Sequence, residues 1–173
     1  DITDVPGKIS GSNSATLIIS NLVVGDAGSY SCHVSGACGS ATSNPAILQV
    51  NDPIVITSQP FNVTACNGSN TAFSTAATGT NLMYQWYFNN GSGASQIPGA
   101  TGPNYPINSV LPSNAGSYYC TISSPCGESV NTSSVTLSIP PSTVISSNPA
   151  GGTICEGGTI NLSVTATGSN LTY

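Results

Sequence analysis

Positive charge is almost missing from this chain: its 173 residues hold one basic side chain, Lys8, and no arginine, against six carboxylates. Nucleic-acid binding draws its affinity from Lys and Arg contacts that release phosphate counterions, so nucleic acid is excluded as a partner. Electrostatic attachment to anionic lipid fails for the same reason. Charge of either sign amounts to 4% of residues, where a globular domain ordinarily has about a quarter. No apolar run reaches the roughly eighteen residues of a bilayer span, so no direct membrane insertion is expected.

Catalytic equipment is equally sparse. His33 is the sole histidine; it follows Cys32 directly, and the alternation of a strand turns it outward as an ordinary surface group. Serines abound, but a serine nucleophile needs a neighbouring base, and none has one. Asp1 and Asp4 are close in sequence, whereas Asp52, Glu128 and Glu156 stand alone, which is too scattered for calcium. Cys-x5-Cys has no second ligand pair at zinc spacing. Asn90-Gly91-Ser92-Gly93 and Gly151-Gly152 precede neither a helix nor a lysine, so they are hairpin turns rather than phosphate loops. No catalytic residue, metal ligand or cofactor site emerges, and the chain reads as a non-enzyme.

Uncharged polar residues fill the gap. Ser (28), Thr (19) and Asn (17) cover the wet surface, while 38% hydrophobic residues and a mean hydropathy of +0.12 suffice for a core. Asn62, Asn67, Asn90, Asn131, Asn161 and Asn170 open Asn-x-Ser/Thr triplets, a frequency that this composition gives by chance. Short apolar or alternating runs bounded by Gly, Pro and Asn recur throughout, and no 3.6-residue periodicity competes with them. Strands are expected at 53–57, 62–65, 70–77, 82–88, 104–110, 116–123 and 129–139, with Pro60 tolerated on an edge.

The chain also repeats itself. Gly25-Asp26-Ala27-Gly28-Ser29-Tyr30-Ser31-Cys32 returns as Ser113-Asn114-Ala115-Gly116-Ser117-Tyr118-Tyr119-Cys120, an offset of 88. Thr78-Gly79-Thr80-Asn81-Leu82-Met83-Tyr84 returns as Thr167-Gly168-Ser169-Asn170-Leu171-Thr172-Tyr173, an offset of 89. Residue 1 therefore aligns with Asn89, and Tyr173 with Tyr84. The expected organisation is the back half of one unit at 1–50, a complete unit at 51–139 and the front part of a third at 140–173. That pattern implies a window on a longer tandem array, whose end units are completed by further sequence or by another molecule.

A tryptophan within Tyr84-Gln85-Trp86, followed about thirty residues later by Asn-Ala-Gly-Ser-Tyr-x-Cys, resembles the immunoglobulin fold. The resemblance implies an all-β chain of tandem immunoglobulin-like β-sandwiches, one complete and two partial. In that pattern Trp86 lies at the centre of the sandwich, and Tyr118, like Tyr30 before it, is the tyrosine-corner residue two positions ahead of a strand F cysteine. Cys-x-Gly at the A–B turn and Cys-x5-Cys-Gly are similar to motifs in the tandem repeats of large secreted surface proteins of Bacteroidota. That narrower likeness implies an extracellular, secreted or cell-surface adhesin, stalk or filament.

One departure from the fold's usual pattern stands out. Thr75 and Val164 occupy the strand B position of the ordinary core disulfide, so that bridge cannot form. Each unit instead offers cysteines at the A–B turn (Cys66, Cys155), on strand F (Cys32, Cys120) and near the F–G turn (Cys38, Cys126). A strand rise of about 3.3 Å per residue separates Cys66 from Cys120 by more than a bridge tolerates. Two arrangements remain open: a local Cys120–Cys126 ring, or bonds between the A–B cysteine of one unit and the F–G cysteine of the next.

Strand alternation turns Tyr84, Trp86 and Phe88 inward and leaves Met83, Gln85 and Tyr87 outside, where Tyr87 shares a face with Tyr119. Those four outward residues form a possible interaction face for a glycan or a host or cell-surface protein, against the plainer reading of cross-strand packing. The expected function is a structural or adhesive segment whose partners are neighbouring repeats or identical chains, with short proline-bearing linkers at 50–53 and 139–141. The alternatives are a glycan- or protein-binding module, using that face or the loop 97–105, and an accessory domain of a secreted enzyme.

Overall fold

The computed structural model describes all 173 residues, Asp1–Tyr173. Eighteen short strands and two single-turn 3-10 segments make up its regular structure. The first unit contributes β1 (Ile9–Ser10), β2 (Ile18–Ile19), β3 (Gly28–Tyr30), β4 (His33–Gly36), β5 (Gly39–Thr42) and β6 (Ala46–Leu48). In the central unit these are β7 (Val55–Ser58), β8 (Val63–Thr64), β9 (Thr71–Ser74), β10 (Ala76–Thr78), β11 (Met83–Asn89), β12 (Ala94–Gln96), β13 (Asn104–Ile107), β14 (Gly116–Ser123), β15 (Ser129–Asn131) and β16 (Val135–Ser138). The third unit adds β17 (Val144–Ser147) and β18 (Thr165–Thr167).

The central unit is a two-layer sandwich. One layer is a six-stranded sheet in the order β12-β11-β14-β16-β8, with β15 also on β14, and β16–β8 is its parallel pair. The other layer is built from β13–β9 and β10–β7. Alternation along β14 points Tyr118, Cys120 and Ile122 into the space between layers, and β11 adds Trp86. Trp86, Tyr118 and Phe73 are the largest fully buried side chains, and every residue of the hydrophobic core lies between Ile54 and Leu137. Apolar residues of the flanking units are largely exposed, Ile47 at 77% for example.

The repeat extends to the backbone. Ala76, Ala77 and Thr78 pair with Ser58, Ile56 and Val55 through a register shift. Thr165, Ala166 and Thr167 pair with Ser147, Ile145 and Val144 through the same shift. Asn81 and Asn170 both take the left-handed conformation, at φ of 50° and 54°. Tyr118 donates its hydroxyl to the Asn114 carbonyl at 2.7 Å, and Tyr30 to Asp26 at 2.6 Å.

Three features depart from the expected strands. The run 70–77 is split at Thr75, whose N–H goes to Pro103 of the loop rather than into a ladder. The stretch 129–139 is likewise split around Thr132, whose hydroxyl accepts from Cys120 N–H. The strand β12 was not expected, because Ala-Ser-Gln has neither β-branched residues nor alternation to announce it. Tyr30, expected in a core, is only half-buried, since β3 pairs with β6 alone and no counterpart of β11 lies across from it.

The unit contains few charges to screen. The one ion pair in the chain joins Lys8 to Asp26 in the first unit, where hydrogen bonding from Lys8 and then from the Val23 N–H holds the Asp26 carboxyl below its ordinary range. Between Pro53 and Ile139, Glu128 is the sole charged residue. The thermal midpoint of the central unit is therefore expected to hold steady between low and high salt, followed by the fluorescence of its single tryptophan. A large salt-dependent shift would reveal an ion site.

Candidate interaction face and unit junction

The pairing of β11 with β14 sets Tyr87 opposite Tyr119 and Trp86 opposite Cys120. Outside the sheet, the two tyrosine rings stack at 5.0 Å with 3° between their planes. That offset stack, favoured by the ring quadrupoles, occupies one face of each ring. Met83 lies on the same side and is 56% exposed. Gln85 is a correction to the expected free surface group. It is half-buried, its amide donates to the carbonyls of Trp86 (2.9 Å) and Ile97 (2.7 Å), and its oxygen accepts from Gln96 (2.8 Å). These bonds tie the β11–β12 edge together and leave Gln85 little freedom to recognise a ligand.

The loop 97–105 lies on the opposite flank of Trp86. Trp86 donates its indole N–H to the Gly102 carbonyl at 2.9 Å, which anchors that loop to the core. Pro98, Thr101, Asn104, Tyr105 and Pro106 line a shallow neutral cavity of about 220 Å³ there.

All six cysteines are free, so the local Cys120–Cys126 ring, one of the two arrangements left open, is not formed. The reason is direction: alternation sends the Cys120 side chain into the core, whereas Cys126 lies in the exposed turn after β14. Thr75, standing where a partner cysteine would be, is buried and donates its hydroxyl to the Ser58 carbonyl at 2.8 Å. Cys32, Cys38, Cys66 and Cys155 are exposed and unbonded as well. Burial pushes the Cys120 thiol up from 9.0 to about 11. A thiol held protonated by the fold stabilises it fully below about pH 9. That contribution is lost as pH rises through about 11, because the unfolded chain ionises first. Thiol-directed alkylation of the native protein at neutral pH should label every cysteine except Cys120, with Cys120 joining only on denaturation. Equal labelling of all six in the native state would contradict this packing.

A second constellation, not among the expected sites, lies at the entry to the central unit. Asp52 N–H donates to Thr80 Oγ1 at 2.9 Å, and Ile54 N–H to Glu128 Oε2 at 3.1 Å. The Asn51 side-chain amide donates to Cys126 Sγ at 3.1 Å. Gly79 closes the cradle at φ +149°, where an added Cβ would come within 3.1 Å of the Pro53 carbonyl oxygen. Gly168 repeats that conformation, with an added Cβ only 2.9 Å from Thr143 Cα. The partners are 28 to 75 residues apart, so periodicity cannot connect them. The repeated Thr-Gly at 78–79 and 167–168 was the available signal.

Metal-ligating residues do not gather anywhere in groups of three or more. Sandwich topology, the tyrosine hydrogen bonds and the central tryptophan define a tandem immunoglobulin-like β-sandwich protein. No family model matches the chain. Among curated proteins it is 35% identical over 109 residues to mouse cell adhesion molecule DSCAML1, covering 60% of this chain and 5% of that protein. It is 31% identical over 125 residues to human cell adhesion molecule DSCAM, covering 68% and 6% respectively. Mouse hemicentin-2 is 29% identical over 134 residues, covering 75% and 3%. The chain thus spans a small fraction of each of these relatives. Among solved structures, an I-band fragment of titin aligns with a TM-score of 0.69 at 19% identity, covering 98% of this chain and 62% of the fragment. The four N-terminal Ig domains of Dscam1 align at a TM-score of 0.52 and 24% identity, covering 80% and 33%. At these identities the structural likeness establishes the fold, and the adhesion-molecule relatives point to an adhesive or structural module.

Proposed function

We propose that the chain is a non-enzymatic structural or adhesive segment of an extracellular or cell-surface protein, with units dividing at 1–50, 51–139 and 140–173. The observation that carries this reading is the cradle around Asn51–Ile54. Loops of the central unit hold the incoming linker by three hydrogen bonds, and Pro53 restricts its backbone. A linker held in this way transmits orientation from one unit to the next, which suits a stalk or filament. The exposed thiol of Cys126 lies beside the incoming linker and that of Cys66 beside the strand that leads out, which supports bonds to a preceding and a following unit respectively. A narrower assignment to Bacteroidota-type surface arrays rests on the Cys-x-Gly and Cys-x5-Cys-Gly motifs alone; the curated relatives named above are mammalian proteins.

A second reading has its own observation. The Tyr87–Tyr119 stack and the cavity beside Tyr105 are neutral aromatic surfaces of the kind that meets sugars or proteins. Screening the chain against immobilised glycans and cell-surface proteins, alongside Tyr87→Ala, Tyr119→Ala and Tyr105→Ala, separates the two. The structural reading expects no saturable ligand whose binding depends on these side chains. Binding that any of the three substitutions abolishes while the fold is kept would overturn it.

A further inference from the structure

The geometry points to the free edge of β12 as a self-association site, where the Ala94–Gln96 strand of a second copy adds antiparallel and continues the six-stranded sheet. This builds on the structural reading above and supplies its lateral partner. β12 is hydrogen-bonded to β11 on one side alone, and all three of its residues are exposed. An open edge presents unpaired N–H and C=O groups, which proteins ordinarily blunt with lysine, proline or a bulge. Apart from β15, which pairs with β14 alone, the other edges of this unit are blunted so. β13 contains Pro106, β8 is two residues long, and β7 meets its partner through a register shift. β12, three residues long, contains neither proline nor lysine and pairs with β11 without a register shift.

The first unit provides an internal comparison. Pro6 and Lys8 stand 88 residues before Ala94 and Gln96, so the corresponding segment there has both a proline and a charge. Asp26, which pairs with Lys8, is replaced by Asn114 at the same offset. Both members of the ion pair are thus exchanged together for neutral residues in the central unit. Asn114 keeps the turn-capping hydrogen bond, accepting from Leu111 N–H at 2.8 Å as Asp26 accepts from Val23 N–H at 2.7 Å. The cap needs an oxygen and not a charge, so the cap does not explain the exchange.

The neutrality of the surroundings selects the occupant. β12 pairs with the Tyr87–Asn89 end of β11, while Glu128 lies beyond the turn after Ser123, which is opposite Met83 at the far end. A charged foreign strand would find no opposite charge along this edge to pair with. An identical strand brings amides and hydroxyls alone, of matching length, and a two-fold axis makes the edge its own complement. A three-residue strand forms few hydrogen bonds, so one contact is weak and gains strength where several units align side by side.

Amide exchange of the full chain, read residue by residue by NMR in dilute and concentrated solution, tests this directly, with sedimentation run in parallel. Protection at Ala94 and Gln96, whose N–H groups point away from β11, is expected to rise about tenfold with concentration as the chain associates, while Ser95, whose N–H faces β11, stays unchanged. Gln96→Lys and Ala94→Pro, which install the first unit's residues at the two outward-facing positions, should each abolish the association. Exchange at Ala94 and Gln96 that ignores concentration, or association that persists in either variant, would overturn the assignment. Neither result touches the structural reading, which is decided by the ligand screen and by the order of the linker.

Discussion

Replacing Trp86 with alanine should cost the central unit about 3–5 kcal/mol, much of the roughly 5–15 kcal/mol that holds a domain folded. Trp86 is fully buried, it packs with Phe73 and Tyr105 at ring separations of 6.1 and 6.2 Å, and its indole anchors the Gly102 loop. The loss is felt in full because no disulfide spans the two layers: Thr75 stands opposite the layer that holds Cys120, and the thiol is free. Phe73, Phe88, Tyr105 and Tyr118 complete an aromatic cluster that does the bridging instead. Denaturation of Trp86→Ala, followed by far-ultraviolet circular dichroism, should show a steeply lowered midpoint for the central sandwich. Trp86→Phe, which keeps the ring but not the indole hydrogen bond, should remain folded with a lowered midpoint.

Gly116→Ala is the second large effect, and the chain contains its own control. Gly116 opens β14 at φ +153°, and a Cβ there would lie 2.6 Å from both the Asn89 carbonyl oxygen and the Phe88 ring. Backbone strain and overpacking together should cost roughly 2–4 kcal/mol. Gly28 occupies the same place 88 residues earlier, but nothing lies within 4 Å of its added Cβ. Gly28→Ala should therefore leave stability within about 0.5 kcal/mol of the parent. Denaturant titrations followed by Trp86 emission for the Gly116 variant and by far-ultraviolet circular dichroism of the whole chain for both variants make the comparison. Equal effects at the two glycines would mean that β11 does not press against the start of β14 as described.

The sandwich was legible because its determinants are local or periodic. Alternation in Gly116–Ser123, the Asn-Ala-Gly-Ser-Tyr-x-Cys run and the 88-residue offset each follow from neighbours in sequence. The same alternation put Tyr87 and Tyr119 on one face, and the β11–β14 register sets them opposite each other. What escaped the sequence depends on contacts that no period encodes. Gln85 has the outward position of an interaction residue, yet its amide is bound by the Trp86 and Ile97 carbonyls, twelve residues apart at most from its own place. Cys120 and Cys126 are near in sequence, but strand geometry turns one into the core and leaves the other in an exposed turn. The linker cradle required Thr80 and Glu128 to meet Asp52 and Ile54, an encounter created only by the folded topology. Edge strand β12 was hidden for the opposite reason: its residues have no strand preference, and pairing to β11 alone makes it extended.

The most direct test of the structural reading is backbone order at the junction. Relaxation measurements on ¹⁵N-labelled protein give order parameters for the amides of Asn51, Asp52 and Ile54, to be compared with those of β11 and β14. A linker held by Thr80, Glu128 and Cys126 should be as rigid as the strands, with order parameters near about 0.85. Glu128→Ala should lower the value at Ile54 first, since that carboxylate accepts its N–H. Order parameters below about 0.6 in the parent chain, with no further change in Glu128→Ala, would mean a freely jointed linker and would contradict the proposal that the units are held in fixed succession.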